Sequence, residues 1–305
     1  MDKIIITTGD PNGIGAEITM KALKALNLPK EKIAIISNKK ILNYYGKLDK
    51  NYEIIEIPYN ENDIKVGQVT KEAGEFSFQS LKLACELKPK AIVTAPVAKN
   101  ALHLAGHNFN GQTEVLQHFL AHDNQLAEML FVANGFRVLL LTRHCALKEI
   151  TLTQDVVVTK IKNLVKTFQK QFGINNPKFA LCGFNPHSGE DGILGREEID
   201  ILIPAVQELQ NAGIDITMPL PADTLFVDAA KNYLKNTKDK YDCYIANYHD
   251  QGLIPIKTVA GENTVNMTIG LDIVRTSPGH GTAFDIAGKN IASPNGMIAA
   301  IKEVL

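Results

Sequence analysis

The sequence predicts an α/β protein with mostly parallel sheets, divided into two domains. Short β-branched runs alternate with longer segments of helical periodicity, and this alternation is typical of βαβ units. The chain has 305 residues, and chains of this length usually contain more than one hydrophobic core. An Asn134-Gly135 pair between two apolar runs is typical of a tight hairpin, so part of one sheet should be antiparallel.

The predicted elements follow from the periodicity of the apolar residues. Continuous apolar or β-branched runs of a few residues predict strands, here KIIIT, KIAIIS, YEIIEIP, AIVTAP, LFVANGFRVLLLT (two strands around the turn), KFALCGF and YDCYIANYH. Apolar residues at every third or fourth position predict helices, here AEITMKALKAL, KKILNYYGKL, EAGEFSFQSLKLACEL, DVVVTKIKNLVKTFQKQF and EEIDILIPAVQELQNAG. The segment NTKDK, residues 236–240, is predicted to be a charged surface loop.

The composition excludes several classes of protein. Lys plus Arg number 32 and Asp plus Glu 33, so no overall charge attracts nucleic acid or an anionic membrane. We find no signal peptide and no apolar stretch of about 18 residues that would span a bilayer. Four cysteines lie far apart and form no C-x-x-C pair, which is typical of reduced thiols in a cytoplasmic protein.

Polar clusters follow five of the predicted strands. Their sequences are TGDPNGIG, TAPVAKN, TRHCAL, GFNPHSGE and NYHDQGL. In open parallel sheets, ligands bind beyond the carboxyl ends of the strands. The repetition of Gly, Pro, His and Lys at these positions therefore predicts an active site there.

Three histidines, His144, His187 and His249, each follow a predicted strand by a few residues. Three imidazoles brought together by the fold would suit Zn²⁺, Co²⁺ or another borderline divalent ion. The alternative, that they are ordinary hydrogen-bonded or surface residues, stays open from the pattern alone. His118 and His122 are four residues apart on a predicted helix, and we interpret them as part of an exposed helix face.

Three cations end apolar runs rather than lying on mixed charged faces. Lys99, Lys257 and Arg275 stand beside the Gly and His clusters, which favours binding of a small phosphorylated or carboxylated ligand. Ordinary surface charge is the alternative.

Two further segments suit a ligand. GQTE, residues 111–114, is predicted to cap a helix that begins near Val115, and Thr113 with the helix N-terminus would suit a phosphate. Residues 275–294 are rich in Gly and Pro, which predicts a long surface loop, and loops of this length are usually functional.

The glycine-rich turn TTGDPNGIGAEI, Thr7 to Ile18, is similar to a nucleotide-binding loop without matching one. It lacks the Lys-Ser or Lys-Thr of a P-loop, and its glycine spacing differs from G-x-G-x-x-G. We expect it to shape one wall of a substrate and cofactor site. A non-catalytic phosphate-binding protein is the alternative from a different class.

Several of these motifs resemble a known superfamily. HGTAFDIAGKNIASP, residues 280–294, resembles the nicotinamide-cofactor loop of the β-decarboxylating dehydrogenases, the isocitrate and isopropylmalate dehydrogenase superfamily. GDPNGIGAE resembles their N-terminal turn. Seven blocks, in order from residue 9 to 294, resemble the 4-hydroxythreonine-4-phosphate dehydrogenase family of pyridoxal phosphate (vitamin B6) biosynthesis: GDPNGIGAEI, TAPVAKNALHLAG, GQTEVL, NPHSGEDGILGREEID, PLPADTLF, YHDQGLIPIK and GLDIVRTSPGHGTAFDIAG.

The resemblance implies an isocitrate/isopropylmalate dehydrogenase-like fold, with two α/β/α domains and an interdomain cleft, and not a Rossmann fold. One domain would span 1–118 plus 258–305 and carry both termini and the cofactor loop. The other, 119–257, would carry the metal ligands and the dimer interface. The protein would be a homodimer whose active sites lie at the subunit interface.

The resemblance also implies the reaction and its residues. The expected activity is the NAD-dependent oxidation and decarboxylation of 4-phosphooxy-L-threonine to 3-amino-2-oxopropyl phosphate and CO2. Implied metal ligands, for Zn, Mg or Co, are His144, His187 and His249, shared between subunits. Implied substrate contacts are Gln112, Thr113, Lys257, Asn266 and Arg275. Implied cofactor contacts are His280, Gly281, Thr282, Asp285 and Gly288. Candidate acid–base groups are Lys99 and Asp250.

Two points of specificity stay open. The family usually has Gly-His-Thr-Glu where this chain has Gly-Gln-Thr-Glu, and the Gln112 amide cannot carry a proton as imidazole can. A 4-phospho-D-threonate or D-erythronate dehydrogenase is therefore the alternative substrate assignment. No basic pair lies near Asp285, which favours NAD over NADP.

Overall fold

The structure, a computed structural model, describes residues 2–48, 51–122 and 125–305. Within these ranges the strands are β1 (Ile4–Thr7), β2 (Ile33–Ser37), β3 (Glu53–Glu56), β4 (Ala91–Thr94), β5 (Glu128–Ala133), β6 (Phe136–Leu140), β7 (Lys178–Leu181), β8 (Asp215–Ile216), β9 (Cys243–Ala246), β10 (Val265–Ile269) and β11 (Val274–Pro278). The helices are α1 (Gly15–Leu26), α2 (Lys39–Tyr45), α3 (Lys71–Glu86), α4 (Lys99–Leu104), α5 (Gln112–Leu120), α6 (Gln154–Gln171), α7 (Ile203–Asn211), α8 (Ala222–Lys235), α9 (His249–Ala260) and α10 (Asn295–Lys302).

The chain divides into two compact units, and the first, Met1–Ala127 with Val265–Leu305, contains both ends of the sequence. Its strands lie in the order β3-β2-β1-β4-β11-β10, all parallel except β10. The apolar run of β1 is buried on both faces. Ile4 and Ile6 pack in a cluster that includes residues of α1 and α10, and Ile5 packs in another that includes residues of α3 and α5. Strands covered on both faces are typical of parallel sheets.

The second unit, Glu128–Thr264, contains strands in the order β5-β6-β9-β7-β8. Strands β5 and β6 form an antiparallel hairpin, and β6, β9, β7 and β8 are parallel. The hairpin turns at Asn134 and Gly135, which both have left-handed φ values of 43° and 88°. A turn with two left-handed residues matches the twist of the strands it joins, and the predicted hairpin is confirmed.

The predicted alternation of strands and helices is confirmed, with corrections at the edges of elements. Helix α5 begins at Gln112, not near Val115, because Gly111 already occupies the N-cap position. The helix ends at Leu120, where the backbone turns to an extended conformation, so His122 lies beyond it and does not share a helix face with His118. Among the described residues, no helix is both long and apolar enough to cross a membrane.

The structure of segment 275–294 also differs from the surface loop that the sequence predicts. Its first four residues belong to β11, which lies between β4 and β10. Arg275, Thr276 and Ser277 are therefore buried although they are polar.

Candidate active site

Hydrogen bonds join three strand exits in the Glu128–Thr264 unit. The backbone N–H of Thr142, after β6, donates to the carbonyl of Asn247, after β9, over 3.1 Å. The buried side chain of Asn247 donates to the carbonyl of Cys182, after β7, over 2.8 Å. The three predicted metal-binding histidines follow these positions within a few residues. The backbone segments that carry the three histidines are therefore held together at one edge of this sheet.

Two of the histidines lie side by side. The ring centroids of His144 and His249 are 5.6 Å apart. The Nδ1 atom of His249 is 2.7 Å from a carboxylate oxygen of Asp250, and both residues open helix α9. His187 has an equivalent pairing, with Nδ1 2.8 Å from a carboxylate oxygen of Glu190. A carboxylate on Nδ1 fixes the ring and leaves Nε2 for another partner, as in many metal sites.

His187 stands on an unusual segment of backbone, Pro186–Gly192. His187, Ser188, Glu190 and Asp191 all have left-handed φ values between 42° and 55°. Non-glycine residues avoid this region, and such outliers cluster at functional sites. Glu198, itself buried, supports the segment by accepting a 2.8 Å hydrogen bond from the backbone N–H of Asn185. The hydrogen bond with Glu190 raises the pKa of His187.

Lys257 lies on the last turn of α9 and is exposed. It therefore shares a helix with His249 and Asp250 in the second unit. The other predicted substrate contacts belong to the first unit.

In the first unit the central feature is Arg275, which is only 3% exposed. Its guanidinium donates to the hydroxyl of Thr94 over 2.9 and 2.7 Å and to the hydroxyl of Thr268 over 3.4 Å. Desolvation lowers its pKa to about 9, although Glu114 opposes the change through its charge. Within the described residues its hydrogen-bond partners are thus neutral hydroxyls, and a buried cation in this state favours an anionic ligand.

Asn266 and Gln112 add hydrogen-bonding groups near Arg275. In the antiparallel β10–β11 pair, Asn266 is opposite Ser277 and Thr268 is opposite Arg275, so Asn266 and Arg275 share one face of the sheet. The Gln112 side-chain NH2 donates to the carbonyl of Ala95, the residue after Thr94, over 3.2 Å. The side-chain oxygens of Asn266 and Gln112 are buried and have no partner among the described residues.

Gln112 and Thr113 form the first turn of α5. Thr113 is 6% exposed. Because a carbonyl oxygen only accepts, the contact with Ala95 fixes the orientation of the Gln112 amide and leaves its oxygen as the free acceptor.

The predicted cofactor loop is anchored to the glycine-rich turn and to α1. The backbone N–H of Ile14 donates to the carbonyl of Thr282 over 3.1 Å. A Cβ on Gly13 would lie 2.9 Å from the same carbonyl, so this turn requires glycine. Further along, the backbone N–H of Ala292 donates to the buried carboxylate of Glu17 over 2.9 Å. The glycine-rich turn thus packs along one side of the predicted cofactor loop.

The remaining predicted contacts lie at the surface of this unit. His280, Gly281, Asp285 and Gly288 are exposed. Gly288 has a φ of 74°. Lys99 is the exposed first residue of α4, next to its N-cap Ala98.

The chemistry of the donor atoms suits both groups that the resemblance implies, but of the three predicted metal ligands the structure shows only His144 and His249 side by side. Imidazoles held through Nδ1 suit a borderline divalent ion, although in the described parts of the chain no three His, Cys, Asp or Glu side chains form a metal site. The exposed carboxylate of Asp285 suits the ribose hydroxyls of a dinucleotide and would repel a 2′-phosphate.

Sequence reasoning missed Asp10, which lies in the glycine-rich turn and is fully buried. Burial raises its pKa to about 6, against the opposing backbone N–H groups of Asn12 and Ala98. An aspartate three residues after a buried strand was the available signal.

Comparison with known proteins identifies the family. The family model described as "Pyridoxal phosphate biosynthetic protein PdxA" matches residues 3–304. The chain belongs to this family. A 4-hydroxythreonine-4-phosphate dehydrogenase of Synechocystis sp. is 40% identical, over 99% of this chain and 94% of its own length. A crystal structure of the Klebsiella pneumoniae 4-hydroxythreonine-4-phosphate dehydrogenase is 32% identical, with a TM-score of 0.86 over 100% of this chain and 98% of that one.

The chain is also similar to a relative with a different name and, in fold alone, to a structure of distant sequence. A D-threonate 4-phosphate dehydrogenase of Salmonella typhimurium is 37% identical, over 98% of this chain and 97% of its own length. An isocitrate dehydrogenase structure from Methylococcus capsulatus is 13% identical, with a TM-score of 0.52 over 99% of this chain and 85% of that one. The likeness confirms the predicted isocitrate dehydrogenase-like α/β fold.

Proposed function

We propose that this PdxA-family protein oxidises and decarboxylates 4-phosphooxy-L-threonine with NAD, giving 3-amino-2-oxopropyl phosphate and CO2 for pyridoxal phosphate biosynthesis. Family membership and the names of full-length relatives support a dehydrogenase acting on this substrate. The observation that carries the proposal is the buried guanidinium of Arg275, whose partners among the described residues are hydroxyls. Such a group fits a substrate that carries both a phosphate and a carboxylate.

The substrate's polar groups have matching residues. Arg275 and Lys257 would hold the phosphate and the carboxylate, and Thr113 at the start of α5 would donate to an anionic oxygen. The unpartnered oxygens of Gln112 and Asn266 accept hydrogen bonds, so they suit the substrate's ammonium and hydroxyl groups.

His144, His187 and His249 would hold a divalent cation, with the set completed across a homodimer. When bound, the ion supplies Lewis-acid polarisation of the hydroxyl and of the ketone that oxidation produces. Asp250 and Glu190 orient two of the rings through Nδ1.

The proposed reaction needs two proton transfers by side chains of the protein, one to a base and one from an acid. When bound, NAD would supply the two-electron oxidant for C3 of the substrate, and a base of the protein would take the hydroxyl proton. The resulting β-keto acid loses its carboxylate as CO2, and an acid protonates the carbon that remains. Lys99 and Asp250 are the proposed acid–base groups, since both are exposed at the starts of helices after β4 and β9.

A spectrophotometric assay tests the proposal directly. Purified protein is mixed with 4-phosphooxy-L-threonine, NAD or NADP, and Zn²⁺, Mg²⁺ or Co²⁺, and NADH or NADPH is followed at 340 nm with CO2 release. We expect metal-dependent NADH formation. Its absence with every metal and both cofactors would contradict the proposal and favour a non-catalytic phosphate-binding protein.

A second candidate is oxidation of 4-phospho-D-threonate or D-erythronate. The observation in its favour is Gln112, which replaces the usual imidazole with an amide whose free atom only accepts. A full-length relative is a D-threonate 4-phosphate dehydrogenase. The same assay decides between the two by the ratio of their kcat/KM values.

A further inference from the structure

Asp10 has a buried carboxylate oxygen without a partner. Its Oδ1 atom accepts a 2.9 Å hydrogen bond from the backbone N–H of Asn12. Its Oδ2 atom is buried and makes no hydrogen bond within the described residues. A buried carboxylate oxygen without a donor is unfavourable. Oδ2 of Asp10 is therefore an acceptor for a hydrogen bond from a group outside the described chain.

The turn holds this carboxyl in place. The backbone N–H of Asp10 donates to the carbonyl of Pro96 over 2.9 Å. Gly9 has a φ of +69°, and a Cβ there would overlap the same carbonyl. The Asn12 side chain accepts from the backbone N–H of Lys65 over 2.7 Å and donates to the carbonyl of Gln68 over 3.0 Å. These contacts fix the backbone of the turn, and the hydrogen bond from the Asn12 N–H to Oδ1 restrains the carboxyl.

The turn also touches the two segments where chemistry is expected. Three residues after Asp10, Gly13 packs against Thr282 of the predicted cofactor loop. On the other side, the backbone N–H of Ala98, which precedes Lys99, lowers the pKa of the Asp10 carboxyl but makes no hydrogen bond to Oδ2. The glycine-rich turn that carries Asp10 therefore adjoins both the predicted cofactor loop and the residue before Lys99.

We propose that Oδ2 of Asp10 contacts the nicotinamide end of the oxidised dinucleotide, accepting a hydrogen bond and balancing the positive ring. The proposal rests on the NAD-dependent function proposed above. The oxidised nicotinamide offers a carboxamide N–H and a cationic ring. The phosphate and carboxylate of the substrate would instead be repelled by a carboxylate. Contact of the same turn with Thr282 favours the cofactor as the occupant.

The interaction should depend on pH. Burial raises the pKa of Asp10 to about 6, so the carboxylate form prevails only above that pH. The titratable side chains that face Asp10 are Tyr45 on α2 and Tyr59, and Glu17 on α1 faces Tyr45. Desolvation raises the pKa of both tyrosines, which stay neutral near pH 7. NAD affinity should therefore fall as pH drops below about 6.

Calorimetric titration without substrate tests the contact. NAD⁺ and NADH are titrated into wild type, Asp10→Asn and Asp2→Asn at pH 8 and pH 5. Asp2 is an exposed carboxylate of the same unit, so its variant controls for net charge. At pH 8 we expect Asp10→Asn to bind NAD⁺ about tenfold more weakly, since an acceptor becomes a donor and a charge is lost. NADH, which lacks the ring charge, should be affected less.

The same titrations can also contradict the proposed contact between Asp10 and the dinucleotide. Equal NAD⁺ affinity and equal pH dependence in wild type and Asp10→Asn overturn the inference. If wild type binds no nicotinamide dinucleotide, the proposed function itself fails. If Asp10→Asn does not fold, wild type titrated near pH 6 in buffers of different ionisation enthalpy should still release a fraction of a proton on binding NAD⁺, and no release overturns the inference.

Discussion

Replacing Arg275 by Met should stabilise the protein while it weakens substrate binding. Desolvation lowers the pKa of Arg275 to about 9, a fall of roughly 3.5 from its ordinary value, which corresponds to about 5 kcal/mol lost by burying the charge. Met fills a similar volume without a charge. It leaves the hydroxyls of Thr94 and Thr268 without their donor, at about 1 kcal/mol each. We therefore expect the free energy of unfolding to rise by about 1–3 kcal/mol, in line with other buried charges replaced by apolar residues.

The affinity of Arg275→Met for the substrate should change in the opposite direction and fall. Arg275 is the buried cation that the site offers to an anionic group, and the loss of such a partner costs about 2 kcal/mol or more, at least 30-fold in affinity. Urea unfolding without ligand, followed by far-UV circular dichroism because the chain has no Trp, gives the stability. Calorimetric titration with 4-phosphooxy-L-threonine gives the affinity.

The matched control is Arg196→Met. Arg196 is an exposed arginine paired with Asp200 over 2.8 Å, so its replacement should change neither measurement. An Arg275→Met variant that is less stable than wild type and binds substrate normally would refute the reasoning. It would show that Arg275 is a structural residue whose hydroxyl contacts outweigh its desolvation.

Three further predictions concern metal binding, packing and pH. Ala at His187 or His249 should lower metal content, measured by elemental analysis, together with turnover; full activity in metal-stripped wild type would contradict a metal role. Gly74→Ala should lower the free energy of unfolding by about 2–3 kcal/mol, because its methyl group would overlap the Ala101 carbonyl, and overpacking outweighs the roughly 1 kcal/mol gain in helix propensity; an unchanged urea midpoint would show that α3 and α4 can move apart. The folded state binds a proton at Asp10 more tightly than the unfolded chain does, with a pKa of about 6 against 3.8, so ionisation costs wild type about 3 kcal/mol above pH 6. Asp10→Asn should therefore be more stable than wild type at pH 8 and equal to it near pH 4 in urea unfolding, and a difference independent of pH would refute the assignment.

Local sequence signals predicted the fold where each element depends mainly on its own residues. The apolar runs of β1, β2 and β4 are buried on both faces, and such runs show strands without any knowledge of their neighbours. The Asn134-Gly135 turn specified its hairpin in the same way, through the left-handed backbone that it needs.

Helix α9 shows why other elements could not be read in this way. Its sequence contains Gly252 and Pro255 in the helix interior, and both residues disfavour helices. Gly252 is needed because a Cβ would lie 2.6 Å from the Leu140 side chain and 2.8 Å from the Val138 side chain. The reason for this glycine is thus the packing of α9 on β6, which the local sequence does not contain.

The same limit applies to domain boundaries and to the site. The predicted divisions at 118/119 and 257/258 fall inside α5 and α9, whereas the compact units divide after Ala127 and before Val265. Strand exits directed attention to the histidine-bearing loops because parallel strands end at one edge, and the role of these histidines stays a prediction. The buried position of Arg275 within β11 was not visible, because it depends on β4 and β10 on either side.

Arg275 and Asp10 illustrate how one unit keeps two buried charges of opposite sign available. Arg275 is bonded to threonine hydroxyls and Asp10 to a backbone N–H, so neutral groups hold each charge. A salt bridge between them would remove much of the desolvation cost, but it would also occupy the atoms that a ligand needs. Desolvation shifts the pKa of each group toward its neutral form, as expected for a buried charge that is held only by neutral groups. On the proposals made above, binding of an anion at Arg275 and of a hydrogen-bond donor at Asp10 would recover the stability that burying these charges costs the free protein.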